Sequence, residues 1–185
     1  MTRAEKSQLL IDECIAKMNA DDRKVYRPIA EYALALGFTP RLVKASVKTS
    51  GGTSDELAFC KSKIGRTLLR INPMFLKAPV NYQIHEAGKA KMRLVFFATH
   101  TYSEPFLLGV KHVIEAFEGK YTGCYGCGRC SGELQGYTYT YPDGRAVFRC
   151  GGQLIELPAT IGMAHVDEVK AMMKAQDDFW MNALL

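Results

Sequence analysis

Along residues 3–19 the apolar positions Leu9, Leu10, Cys14, Ile15 and Met18 recur with helical spacing, and charged side chains fill the positions between them. That pattern predicts a first amphipathic helix. Val25, Ile29, Ala33 and Leu36 then repeat on one face, behind Asp21 and Asp22 as start signals and ahead of Gly37 as a stop. A second helix follows, which Pro28 is expected to kink or divide, because proline removes a backbone donor and crowds the preceding turn.

At Arg41 the period drops to two. Val43, Ala45 and Val47 alternate with Lys44, Ser46 and Lys48, and "SGGTS" marks a turn, so this reads as a strand. "ELAFCKSK" and "RTLLRIN" follow, with Ile64 and Gly65 between them, and the second puts Thr67, Leu69 and Ile71 on one face and Arg66, Leu68 and Arg70 on the other. Together they predict an antiparallel meander. "NPMFLKAP" reads as a loop or edge because of its two prolines, "VNYQIH" as a short strand and "KMRLVFFAT" as a stronger one.

Ser103 is placed to cap a third helix, with Pro105 in its first turn and Phe106, Leu107, Val110, Val113, Ile114 and Phe117 as a stripe ending at Gly119. This helix is expected to cover one sheet face. "QLIELP" reads as a short strand, and Val166, Val169, Met172, Met173, Phe179 and Trp180 mark a last helix with its core face. The predicted fold is α+β: N-terminal helices, an antiparallel β-meander packed by a helix, a β-hairpin braced by a four-cysteine metal site, and a C-terminal helix.

The length of 185 residues suits a single domain over 1–185, with a metal-binding substructure at 121–157. Hydrophobic residues at 48% and charged ones at 23% match an ordinary globular chain rather than a disordered one. The first residues mix acids and bases with no leader-like apolar run, and no apolar stretch approaches the roughly 20 residues that span a bilayer. The expectation is therefore a cytoplasmic protein with no membrane partner.

Charge changes the picture more than composition does. The net charge is +5, and residues 41–93 hold eleven Lys/Arg against three Asp/Glu, while the rest of the chain is balanced or acidic. A local excess of this kind attracts nucleic acid, nucleotides or acidic surfaces. Solvated lysines that keep sheet edges from pairing with other chains explain the same letters.

Of six cysteines, Cys14 and Cys60 read as buried small hydrophobes on a helix and a strand. The other four are local: Cys124, Cys127 and Cys130 form C-x2-C-x2-C, and Cys150 follows a hairpin. Four thiolates complete the tetrahedral shell of a closed structural Zn2+ site, which leaves no open position for water or substrate. An iron–sulfur cluster is the alternative, since the spacing matches the first three ligands of a bacterial ferredoxin run, although Leu134 stands where its fourth cysteine belongs. Disulfide or thiol redox chemistry is the third reading. Lys120, Arg129, Arg145 and Arg149 offset the charge of such a centre.

Within the hairpin, "YPDGR" specifies a three-residue loop with Gly144 at its left-handed position. The register then sets Tyr141 opposite Arg145, Tyr139 opposite Val147 and Tyr137 opposite Arg149, with Phe148 and Cys150 on the other, inward face. Three tyrosines and two arginines would make an outward surface for stacking bases and pairing with phosphates. Plain cross-strand stabilisation explains the same residues.

His85, His100, His112 and His165 are scattered, and no phosphate loop, dinucleotide fingerprint or nucleophile elbow occurs. "HTYSE" (residues 100–104) gathers acid–base groups at a strand-to-helix junction, where Ser103 and Glu104 also make an ordinary helix start. No named reaction follows. The sequence leads to a binding protein with a structural zinc site, whose ligand is an anion, either nucleic acid or a phosphate-bearing small molecule. It would be met by Arg41, Lys44, Lys48, Lys61, Lys63, Arg66 and Arg70, with the tyrosine–arginine face beside them. An iron–sulfur or thiol redox protein is the alternative, and a small enzyme acting through His100 and Glu104 the second.

Overall fold

Thr2 starts the chain's first helix by accepting from the Glu5 amide at 3.2 Å while the Glu5 carboxylate accepts from the Thr2 N–H at 2.7 Å. This reciprocal cap satisfies two donors that a helix start leaves unpaired. The structure is a computed structural model that describes residues 1–44, 55–74, 86–117, 123, 135–152 and 154–183. Helix α1 spans Arg3–Ala16, and Asn19 caps α2 (Ala20–Ala35) by accepting from the Asp21 and Asp22 amides. Pro28 does not divide α2. Val25, Tyr26, Ile29 and Ala30 on either side of it are buried, and their packing outweighs the roughly 3 kcal/mol a mid-helix proline costs.

Five strands follow the predicted meander. They are β1 (Thr39–Lys44), β2 (Asp55–Lys61), β3 (Arg66–Asn72), β4 (Lys91–Leu94) and β7 (Ile155–Glu156), all antiparallel in the order β1-β2-β3-β4-β7. A separate hairpin pairs β5 (Gly136–Thr140) with β6 (Ala146–Cys150). Lys48, "SGGTS" and "VNYQIH" lie outside the described residues.

Register makes the two sheet faces unlike. Leu57, Ile71 and Met92 form one cross-strand row, and Phe59, Leu69, Leu94 and Ile155 the next, all buried in the core. Arg41, Ala58, Arg70, Arg93 and Glu156 form a row on the opposite face. There Glu56, 1% exposed, pairs with Arg93 and lies 3.7 Å from Arg70, while the buried Lys91 pairs with Glu156 at 2.7 Å. Charges out of water are kept only with such partners.

Helix α3 (Glu104–Phe117) packs on β5 and β7 with Phe106, Val110, Val113 and Ile114 buried, but Leu107 is 38% exposed and leaves the predicted stripe. Helix α4 (Val166–Asn182) packs on α2 and buries Val166, Val169, Met172, Met173 and Trp180. Gln176 accepts from the Ala98 N–H at 3.0 Å and so fixes α4 to the chain just beyond β4. Among the described residues no helix is long and apolar enough to cross a membrane.

Candidate anion-binding clefts

The β2–β3 connection builds the site. Ser62–Ile64 makes one tight helical turn closed by Gly65, after which Lys61 pairs with Arg66 and Cys60 with Thr67. The register shifts between Phe59 and Cys60. Such irregularities bend a strand end and re-aim its side chains.

Two clefts meet here and share Gly65, Arg66 and Thr67 as a common wall. The larger, about 320 Å³, is lined by Arg3, Arg41, Lys61 and Arg66 together with Thr39, Cys60 and Ser62. The smaller, about 230 Å³, is lined by Arg66 and Arg70, by Val95, Phe97, Leu154 and Trp180, and by Gln135, Cys150 and Gly151 of the hairpin base. Neither described lining contains a carboxylate.

The cations of the meander differ in their commitments. Lys44 pairs with Asp55 at 2.9 Å, Lys61 with both oxygens of Asp177 at 2.6 and 2.8 Å, and Arg70 faces Glu56. Lys61 also sits 4.6 Å from the Phe38 ring centre. It is therefore a clamp between β2 and α4 rather than the free ligand contact expected from the sequence. Arg41, Lys63 and Arg66 have no carboxylate partner among the described residues, and Arg41 and Arg66 line the larger cleft. Arg3, 36 positions from Thr39 in sequence, donates to the Thr39 hydroxyl at 2.9 Å, and both line the larger cleft.

Arg70 is held less firmly than its neighbour Arg93. Its Nη1 is 3.7 Å from Glu56 Oε2, beyond hydrogen-bond range, and its buried Nε has no acceptor. A guanidinium in that position retains donors for a ligand at the cleft wall.

The hairpin keeps the predicted register and buries Cys150 as predicted, but Tyr137 and Arg149 of the predicted outward face turn inward as well. Tyr137 opposes Arg149, Tyr139 opposes Val147, and the Tyr141 N–H donates to the Arg145 carbonyl at 2.9 Å with Gly144 at φ 83°. Tyr137 is nevertheless 1% exposed and Arg149 3% exposed, while Thr138 and Thr140 face outward. Tyr137 packs edge-on to Phe96 and its oxygen accepts from the Phe96 N–H at 2.9 Å. The ribbon thus folds its tyrosine side onto the residues after β4, because a phenol buries more apolar area than a threonine and finds a donor there. Burial chiefly pushes the Tyr137 hydroxyl well above its ordinary pKa, against the lowering effect of its bond to Phe96. Only Tyr139, Tyr141 and Arg145 remain accessible, with Arg145 stacked 4.3 Å over the Tyr141 ring.

Cys60 departs from its expected burial. It is half-buried at the larger cleft, with Sγ 3.2 Å from Thr67 Oγ1. Cys14 is buried as expected, and desolvation pushes its thiol up to about 11. Of the predicted metal ligands, Cys124, Cys127 and Cys130 lie outside the described residues, and Cys150 is a buried free thiol at the hairpin base. Gly123, the residue before Cys124, donates its N–H to the Phe148 carbonyl at 2.8 Å and bridges Arg149 in parallel. Among the described residues no three His, Cys, Asp or Glu side chains are grouped to hold a metal.

His100 and Glu104 are both exposed, and Ser103 gives its N–H and hydroxyl to the Glu168 carboxylate, each at 2.7 Å. The sequence reading missed Arg3, Phe97, Trp180 and Gly151 as cleft residues. Their pattern signals only helix start, core and turn. No family model matches the chain, and no curated protein or solved structure shows detectable similarity to it.

Proposed function

We propose that the protein binds a small phosphate-bearing or similar oxyanion in the paired clefts around Arg66. The observation that carries this reading is a cleft lining that holds no carboxylate and brings together Arg3, Arg41 and Arg66, cations with no carboxylate partner among the described residues. Unpaired guanidiniums in a concave, partly desolvated site bind oxyanions through forked, charge-assisted hydrogen bonds. An extended nucleic-acid track is the weaker form of the same idea. Lys44, Lys61 and Arg70 already face carboxylates, which leaves few free cations along the strands.

The test is a calorimetric titration of the protein with inorganic pyrophosphate at low and moderate salt. The reading expects one site whose affinity falls as salt rises, and absence of binding at low salt overturns it. A single-stranded oligonucleotide that binds where pyrophosphate does not, with a steep salt slope, would replace the small anion with nucleic acid.

A structural Zn2+ held by Cys124, Cys127, Cys130 and Cys150 is the proposed brace of the hairpin. Its support is the pairing of Gly123 with β6 beside Arg149, one residue from Cys150. Because Cys150 lines the smaller cleft, the brace would also fix that wall. About one zinc per colourless chain, and a lower melting temperature after chelation, are the expected results. The same approach of Gly123 to β6 suits an iron–sulfur centre, which iron, sulfide and a broad band near 400 nm, roughly where thiolate-ligated clusters absorb, would identify.

A further inference from the structure

The smaller cleft has a wall that anion binding alone does not use. Val95, Phe97, Leu154 and Trp180 line it together with Arg70, and the Phe97 and Trp180 rings meet edge to face with centres 6.5 Å apart. Gly151 lets the hairpin base close directly on this wall. A Cβ there would come within 2.3 Å of Phe97 Cδ1, so no side chain fits between backbone and ring.

We infer that the ligand carries a flat ring as well as an anionic group, the chemistry of a mononucleotide. The inference rests on the anion reading above and names the rest of the molecule. Gly65, Arg66 and Thr67 belong to both clefts, so a single molecule can cross that wall with its charge beside Arg41 and Arg66 and its ring against Leu154, Val95 and Trp180. Arg70 belongs to the same lining. Flat rings stack on guanidinium planes and on aromatic edges, and a ring so placed gains from leaving water. Together the two clefts fall in the usual range of small-ligand sites, about 300–1,000 Å³.

Trp180 is the chain's single tryptophan, so its fluorescence reports on this cleft. The experiment titrates the full chain with adenosine 5′-monophosphate, adenosine and inorganic phosphate, following Trp180 emission and calorimetric heat. The inference expects the nucleotide to change Trp180 emission and to bind at least about tenfold more tightly than phosphate, the gain of one stacked ring. Arg66→Gln should weaken nucleotide and phosphate alike, by about tenfold or more, and Arg70→Gln should remove most of the nucleotide's advantage. Equal affinity for nucleotide and phosphate with unchanged emission overturns the ring and leaves the anion reading standing. Adenosine binding as tightly as the nucleotide overturns the anion reading, and no binding by any of the three overturns both.

Discussion

Lys61, the last residue of β2, donates to both carboxylate oxygens of Asp177 on α4, at 2.6 and 2.8 Å, with their side chains only 14% and 10% exposed. This pair joins the sheet to the final helix beside the larger cleft. Removing one partner of a largely buried pair leaves the other charge uncompensated, which costs several kcal/mol. Asp177→Ala should therefore destabilise the protein by about 2–4 kcal/mol in urea unfolding. The double change Lys61→Met with Asp177→Leu should recover much of that loss, since no stranded charge remains.

Tyr137 makes the second test, because its oxygen is the acceptor for a buried backbone donor. Tyr137→Phe should cost about 1–3 kcal/mol, the penalty for leaving the Phe96 N–H unpaired. It should also alter the alkaline limb of stability. Burial raises the folded-state pKa of both Tyr137 and Tyr26 above the ordinary 10.0, so their contribution is complete below that value and declines as pH rises through it toward the folded values. In that window the unfolded chain releases protons that the folded chain keeps, and each such tyrosine steepens the loss by about 1.4 kcal/mol per pH unit. The variant should show the shallower decline above pH 10. An unchanged slope would mean that Tyr137 is not buried in its neutral form.

Thiol chemistry separates the described cysteines by position. Cys60 opens on the larger cleft, whereas Cys14 and Cys150 are 4% and 6% exposed. In native protein Cys60 should alkylate well before Cys14, whose thiol pKa is also raised to about 11. Peptide mapping after brief iodoacetamide treatment checks the order, and pyrophosphate should slow the reaction at Cys60.

Much of this architecture was legible because it is local. Helical spacing located α1, α2, α3 and α4, alternation located β1 and β3, and the loop residues around Gly144 fixed the hairpin register. What failed needed tertiary information. Register states which residues share a face, but only packing decides that Tyr137 turns inward onto Phe96 while Thr138 meets water. Composition counted Lys61 and Arg66 as equal cations. The partner that distinguishes them, Asp177, lies 116 positions from Lys61. The clefts were hidden for the same reason, since Arg3, Arg66, Phe97, Gly151 and Trp180 come together only when the sheet end, hairpin base and last helix meet.

The central claim is that Arg41 and Arg66 are the uncommitted cations of an anion site, and one comparison tests it most directly. Calorimetric titration with pyrophosphate should be run on the native chain, on Arg41→Gln with Arg66→Gln, and on Lys63→Gln, which removes an exposed cation that lines neither cleft. The account predicts a loss of about a hundredfold or more in the double variant, as two charge-assisted hydrogen-bonding groups disappear, and little change in Lys63→Gln. Equal weakening in the two variants would mean that pyrophosphate senses only the general positive charge of the meander, and would contradict the site.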